Sequence, residues 1–310
     1  MASRFSLIIL LSVFLIGCRP ATPPPSAIDL TQMAAASVTA TVTPPAVEVP
    51  DEAAQIRNAR YELGAVNTLQ VVKFTDGKFE QGLPGSDNFM SIALTDFIAI
   101  GDLDEDGTAE IAALVSENYG GTGVFVFLAV YADIDGVLTF QTSIIVDDRP
   151  QLNALSIENS EIFLDAVIHG TDDPMCCPTL KTMRHYRLVD NQLEMTDYTT
   201  FTPDGKPRTI TIESPTDGSE VFTSVQMKGQ VAIAPFENNL AYRILDVSGI
   251  ELSAGSVAVS APDLGAPGTF EVVIPLGRAL SDSIVRIEVQ DLSAADGSLL
   301  AMDSVELVVK

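Results

Sequence analysis

From about residue 66 the apolar positions recur at every second residue, in short runs broken by Asp-Gly, Gly-Gly and Pro. That period belongs to strands with one face on a core, not to helices. Ahead of it, Asp51 to Tyr61 predicts one short helix. Asp51 is a suitable N-cap, and Ala53, Ala54, Ile56 and Ala59 share a face. Val71 to Phe74, Asp76-Gly77 and Lys78-Phe79 then read as a hairpin. Strands follow at Phe97 to Ile100, Ile111 to Val115, Val124 to Tyr131 and Val137 to Val146, the last two joined by Asp135-Gly136. Leu152 to Ile157, Ile162 to Ile168, Arg184 to Val189 and Gln192 to Thr196 complete the run. Strands this close, with short polar turns between them, predict an antiparallel sheet or barrel over residues 51–203.

The alternation resumes after a junction with Pro203, Asp204-Gly205 and Pro207. It gives Ile210 to Ile212, Val225 to Val231, Ala241 to Val247, Val257 to Val259, Phe270 to Ile274, Ile284 to Val289 and Val305 to Val309. In the clearest of these, Val285, Ile287 and Val289 oppose Ile284, Arg286, Glu288 and Gln290, so one face is dry and the other wet. Turns fall at Asp217-Gly218, Ser248-Gly249 and Asp296-Gly297. About seven strands in about 100 residues predict an immunoglobulin-like β-sandwich over residues 207–310. It holds no Cys pair, so packing alone must join its sheets. The expected fold is thus mainly β: an antiparallel domain with one short helix, then the sandwich.

The first 50 residues follow another pattern. Arg4 precedes an almost wholly apolar run, Phe5 to Ile16. The run is about a dozen residues, against the roughly 20 that a spanning helix needs, and it reads as a secretory signal. It ends Leu15-Ile16-Gly17-Cys18, which resembles the bacterial lipoprotein signal, or lipobox. That resemblance implies cleavage after residue 17 and a diacylglycerol on the Cys18 sulfur, joined by a further acyl chain such as palmitate. Two or more chains hold a protein stably on a bilayer. Residues 18–50 carry Pro20, Pro23, Pro24, Pro25, Pro44, Pro45 and Pro50 among many Thr, Ala and Ser. No strand or helix period runs through them. They read as a linker, about 100 Å long if fully extended and about 30 Å as a coil.

Charge narrows the partners. Asp and Glu number 42 against 17 Lys and Arg, a net charge of −25. Such a chain lacks the Lys/Arg patches that nucleic acid requires. It is also repelled from anionic lipid, so attachment to a membrane falls to the lipid on Cys18. Cations suit it. Asp102, Asp104, Asp106 and Glu110 occupy positions 1, 3, 5 and 9 of a loop with Gly107 at position 6, which is much of a calcium loop. Ala113 stands at position 12, where an EF-hand has its bidentate Glu, and the flanks read as strands. The loop is more similar to those of integrin-type propeller repeats, in which Thr108 would lend its carbonyl. Two readings stand: a structural Ca2+ on Asp102, Asp104, Asp106, Thr108 and Glu110, or a solvated acidic turn.

Cys176 and Cys177 are the cysteines left once Cys18 is lipidated. Neighbouring Cα atoms lie about 3.8 Å apart, below the usual disulfide span of about 4.4–6.8 Å. A vicinal disulfide clamping the loop, two buried thiols, and metal or redox chemistry all remain open. His169 and His185 lack metal-ligand spacing and read as surface or strand residues. No nucleophile elbow, HExxH helix or Walker loop is present, and Gly120-Gly121-Thr122-Gly123 reads as a hairpin turn. Catalytic residues are therefore expected to be none.

Two family resemblances complete the reading. Ile56 to Tyr61, Phe74 to Phe79, Gly101 to Gly107 and Asp173 to Pro178 resemble the LppP/LprE-type bacterial lipoprotein domain over about residues 56–195. That family is exported and implies no established reaction. Ile212 to Val221, Lys228 to Ala232, Pro235 to Leu240 and Gly268 to Phe270 resemble the immunoglobulin-like domain family of bacterial spore germination. Within it, Phe236 and Glu237 either form a recognition edge or pack the core and cap a turn. The expectation is an extracytoplasmic, lipid-anchored envelope protein with a non-enzymatic binding or structural role toward an envelope protein or glycan. The alternative is a hydrolase of envelope polymers that uses carboxylates of the first domain.

Overall fold

The computed structural model describes residues 54–66, 69–277 and 282–310. The signal over residues 1–17, Cys18, the linker over residues 18–50 and the start of the predicted helix lie outside the described residues. The described remainder of that helix is one turn ending in a 3-10 segment, Ile56–Asn58, and Ala59 is already extended. Ile56 and Tyr61 are fully buried, and the chain from Arg60 pairs as a strand, so burial and pairing override the local helix preference.

The first layer is a ribbon of β1 (Arg60–Glu62) and β2 (Val71–Lys73). The second is an antiparallel meander: β3 (Lys78–Gln81), β4 (Met90–Gly101), β5 (Glu110–Asn118), β6 (Phe125–Ile134) and β7 (Val137–Asp148), in that spatial order. The third holds β8 (Gln151–Glu158), β9 (Glu161–Ile168), β10 (Leu180–Val189) and β11 (Gln192–Phe201), with the short β12 (Pro207–Arg208) paired to β11. The meander is buried on both faces. Ile111, Ala113 and Val115 pack with Tyr61, Phe74 and Ile92 on one side. Ala112, Leu114, Leu128 and Val130 pack with Ile162, Leu164 and Tyr186 on the other. This sandwiching makes β5 and β6 nearly continuous apolar runs, with each buried Leu, Ile or Val side chain contributing about 1.5–3 kcal/mol.

The predicted hairpin at Asp76-Gly77 divides. The turn forms, with φ of 50° and 78°, and Thr75 and Lys78 exchange backbone hydrogen bonds of 2.8 and 3.2 Å. Its arms, however, serve different layers: β2 pairs with β1 and β3 with β4. Backbone contacts hold the turn there, Gly77 N–H donating to the Arg57 carbonyl at 2.6 Å and Phe74 N–H to that of Ala59 at 3.0 Å.

The C-terminal strands are β13 (Ile210–Ser214), β14 (Ser219–Val221), β15 (Ser224–Val231), β16 (Asn239–Asp246), β17 (Glu251–Ser260), β18 (Gly268–Pro275), β19 (Ser283–Leu292) and β20 (Leu299–Val309). β13, β15 and β18 form one sheet, and β16, β19 and β20 the other. β17 pairs with β16 and then reaches β18 through Val259 and Ser260, while β14 runs parallel to β20. This is the sandwich that the alternation predicts. Its core includes Val225, Met227, Leu240, Ile244, Phe270 and Ile287. Gly229 leaves room within its own sheet: a Cβ there would sit 2.2 Å from the Thr211 carbonyl oxygen of β13 and 2.4 Å from the Phe270 ring of β18.

One pairing joins the two halves. β11 and β20 are antiparallel neighbours through Asp197↔Asp303, Tyr198↔Met302 and Thr199↔Ala301. The third layer of the first domain thereby continues strand by strand into the β16–β19–β20 sheet of the sandwich, and β17 carries the pairing on to the sheet of β18, β15 and β13.

Candidate functional site

Three places hold the polar chemistry: the β4–β5 loop, the β9–β10 loop, and the seam where β11 meets β20.

In the β4–β5 loop, carboxylate oxygens of Asp102, Asp104 and Asp106 lie within 4.8 Å of one another. Their other contacts shape the turn. Asp102 Oδ2 accepts Gly107 N–H at 3.0 Å, Asp104 Oδ1 accepts Asp106 N–H at 3.2 Å, and Asp106 Oδ1 accepts Thr108 N–H at 2.7 Å. Gly107 takes φ of 90°, a conformation that glycine adopts without cost. Glu110 departs from its three neighbours. It is buried, and its Oε2 accepts Leu103 N–H at 2.7 Å beneath the loop. Burial raises its pKa above the usual carboxylate value. The three aspartates bring together oxygens of the kind a hard cation binds, three of the six to eight ligands that Ca2+ takes.

In the β9–β10 loop, Cys176 and Cys177 are bonded to each other, with Cα atoms 3.8 Å apart, and both are exposed. Asp173 closes the base. It accepts Gly170 N–H at 2.8 Å, Thr179 N–H at 2.7 Å and the Thr179 hydroxyl at 2.8 Å. These donors, Gly170 first, hold its carboxyl below the ordinary value. Thr171 Oγ1 donates to Asp296 Oδ2 in the β19–β20 turn, which ties the loop to the second domain. At its start, His169 Nδ1 lies 2.8 Å from Asp147 Oδ2, and this hydrogen bond raises the imidazole pKa. His185, on β10, lies 3.3 Å from Glu161 Oε2, again with a raised pKa from that bond. Each histidine thus has a carboxylate partner. Gly120 to Gly123 connect β5 to β6 as a hairpin turn.

The seam was not foreseeable. Asp197 and Asp303 stand opposite each other across the β11–β20 pair and line a cleft of about 440 Å³ with Glu161, His185, Arg187 and Arg286. Asp303 Oδ2 accepts Ile212 N–H at 2.6 Å, and Oδ1 accepts Ser304 N–H at 2.8 Å. Burial, and then the opposing Asp303, push the Asp197 carboxyl up to about 7. Burial likewise lifts Asp303 to about 6. Arg286 is committed elsewhere: it lies 2.7 Å from Glu194 and 3.3 Å from Glu288. Glu288 also pairs with Arg243 at 2.5 Å.

The cleft opens into a groove of about 710 Å³ between the domains. The two share Glu161, Arg187, Asp217 and Glu306. One wall of the groove is Leu103 to Glu105 of the acidic loop, so the loop singled out from sequence borders it. Nothing in the sequence signals that Asp197 and Asp303 meet. The faint trace is Asp303 itself, a charge inside the apolar run that opens at Leu299. Phe236, in contrast, is plain: it is 61% exposed on a 3-10 turn, and Glu237 beside it has φ of 55°. It does not pack the core.

Residues 209–298 match the immunoglobulin-like domain of bacterial spore germination. The matched stretch begins just before β13 and ends just ahead of β20, so the second domain is immunoglobulin-like in sequence as well as in strand order. No curated protein matches the chain.

Proposed function

We propose that the chain is an extracytoplasmic protein, anchored to the membrane through lipid on Cys18, whose two β domains act together as a non-enzymatic binding module for an envelope component. The observation that carries the binding role is the groove at the seam. It is built by both domains, and the β11–β20 pairing fixes its walls relative to each other. Ligand sites favour such interfaces. An immunoglobulin-like second domain agrees with a binding or structural role. The resemblance of Leu15 to Cys18 to a lipobox and that of residues 56–195 to the LppP/LprE-type domain support this placement. A Pro-rich linker of about 30 Å as a coil would hold the groove clear of the lipid.

The acidic loop fits this reading as a structural Ca2+ site on Asp102, Asp104 and Asp106, with the Thr108 carbonyl and Glu110 completing the proposed set. Glu110 would have to leave the Leu103 N–H to join it. A rise in melting temperature on adding Ca2+, absent in Asp104→Asn, is the expected result; no rise removes the metal from the proposal.

The rival, a hydrolase of envelope polymers, draws on Asp197, whose carboxyl titrates near neutrality. Its opposite number is poorly placed for acid–base work, because both oxygens of Asp303 already accept backbone N–H groups. Release of reducing ends from purified wall polymer, abolished by Asp197→Asn, would establish the rival.

The proposed function is tested by capture from envelope extracts with the full-length chain, and by labelled palmitate. Partner recovery and label on Cys18 are expected. A Cys18→Ser protein that keeps its full-length mass and still partitions with membranes would defeat the anchoring, and repeated absence of any partner would defeat the binding.

A further inference from the structure

We propose that the groove between the domains is a docking site for an extended, amphipathic, cationic peptide segment of a partner protein. This rests on the binding role above and names the chemistry of what is bound.

The groove has two kinds of wall. Leu188 and Val189 at the end of β10 line it together with Val247 and Ile284 from the second domain. Val247 and Ile284 are 47% and 42% exposed, so apolar surface is left in water on the sandwich side. Apolar surface rimmed by polar groups marks an interaction site. The rim is acidic: Glu105, Asp190, Asp217 and Glu306 line the same groove. Against these carboxylates stands Arg187, the one Lys or Arg lining the groove among the described residues.

Where the groove narrows into the cleft, Asp197 and Asp303 face each other, and neither makes an ion pair with Lys or Arg among the described residues. Arg286 is spent on Glu194 and Glu288, and His185 on Glu161. A Lys or Arg side chain entering from the groove therefore meets two carboxylates that no Lys or Arg of the described residues pairs. Two half-buried like charges repel, and a cation placed between them reverses that cost.

Charge complementarity selects the occupant. A chain of net charge −25 attracts cations from a distance and repels anionic polymers. An uncharged glycan would leave the carboxylates desolvated without a partner. A cationic peptide whose side chains alternate suits both walls, because successive side chains of an extended segment point to opposite sides. Apolar residues would lie on Val247 and Ile284, and Lys or Arg would reach the rim.

The test uses the full-length chain and a fluorescent octapeptide of alternating Lys and Val, followed by anisotropy at low salt. Tetralysine and an alternating Glu-Val octapeptide serve as comparisons. The Lys-Val probe is expected to bind, and both comparisons to bind about tenfold or more weakly. Asp190→Asn combined with Glu306→Gln should weaken the probe about tenfold or more. Val247→Ser combined with Ile284→Ser should weaken it several-fold. Glu80→Gln, an exposed acid on β3 outside the groove, should change nothing. Melting curves check that each variant folds; if the Val247/Ile284 pair does not, the rim pair decides alone. Equal binding by rim variant and parent, equal binding of tetralysine, or no binding at millimolar probe would overturn the proposal. Failure of the probe while envelope extracts still yield a partner would remove the groove and leave the broader binding role standing.

Discussion

Asp197→Asn should make the protein more stable at pH 8 and leave it unchanged near pH 4. In the folded chain the Asp197 carboxyl is pushed up to about 7 from an ordinary value of 3.8. The groups that face it are Asp303 and Glu161, which raise it, and His185 and the Thr199 side chain, which lower it. Burial exceeds all of these. Between about pH 4 and pH 7 the folded chain therefore holds a proton that the unfolded chain has released. Stability falls as pH rises through that window and is level above it. The difference between 3.8 and about 7 corresponds to about 4 kcal/mol, and water in the open cleft reduces the gain expected from Asn to about 2–3 kcal/mol. Asn keeps an oxygen to accept from Thr199 and carries no charge at any pH. Urea unfolding at pH 4, 6 and 8 reads the effect: the parent loses stability across the series, and the variant loses much less. A variant less stable than the parent at pH 8, or one with the parent's slope, would refute the assignment of a desolvated carboxylate at the seam.

Two further substitutions probe the packing. Gly229→Ala places a methyl 2.2 Å from the Thr211 carbonyl oxygen, which is backbone and cannot swing away, so β13 must shift off β15. A loss of about 3 kcal/mol in chemical denaturation is expected, and a loss below about 1 kcal/mol would contradict the close approach. Glu117→Gln addresses the anchor of the N-terminal segment. Glu117 is fully buried and accepts the Tyr61 hydroxyl at 2.6 Å, Gly64 N–H at 2.8 Å, Ala65 N–H at 3.0 Å and the Tyr119 hydroxyl at 2.7 Å. In either orientation a Gln amide turns its NH2 toward one backbone N–H, which cannot accept, and one Tyr hydroxyl, which must give up its own donated bond to do so, at an expected cost of about 2–3 kcal/mol. Hydrogen exchange at Gly64 and Ala65 should accelerate in step; unchanged exchange would count against this anchor.

The strands were legible because burial writes a period of two into the chain. Val285, Ile287 and Val289 face inward as the alternation requires, although Glu288 and Gln290 on the face read as wet are buried as well, and Asp135-Gly136 turns the β6–β7 hairpin with φ of 56° and 80°. Where the reading strayed, tertiary contacts overrode a local signal. Residues 54–59 carry helical spacing, yet Tyr61 is drawn to Glu117, and the chain extends to reach it. Asp76-Gly77 is a sound hairpin turn whose arms were recruited by different neighbours. The short β14 was missed because Ser219–Val221 has too few residues to show a period. The acidic loop was visible because its members lie within nine residues of one another. Asp197 and Asp303 were not, because they are 106 residues apart and a single strand pairing brings them together.

That pairing also carries a prediction about the sandwich alone. β20 bonds to β19 along one side. Along the other it is covered by β14 at Leu307 to Val309 and by β11 at Ala301 to Asp303. Two side-chain bonds reinforce the second cover: Thr200 Oγ1 donates to the Leu300 carbonyl at 2.6 Å, and Ser304 Oγ to the Thr196 carbonyl at 2.9 Å. A fragment of residues 205–310 loses that cover and presents unpaired backbone beside Leu299, Leu300 and Met302. Exposed edges of this kind pair with one another unless a charge interrupts them. Asp303 is such a charge, and outside the seam it regains water and ionises at neutral pH. Pairing of two edges would bury it again and lift its pKa as the seam does, so association takes up a proton: the fragment should self-associate more at pH 5 than at pH 8 in sedimentation velocity, and Asp303→Asn should associate at both. A fragment that stays monomeric at pH 5, or one in which Asp303→Asn changes nothing, would mean that the β20 edge is protected by something other than β11 and its own aspartate.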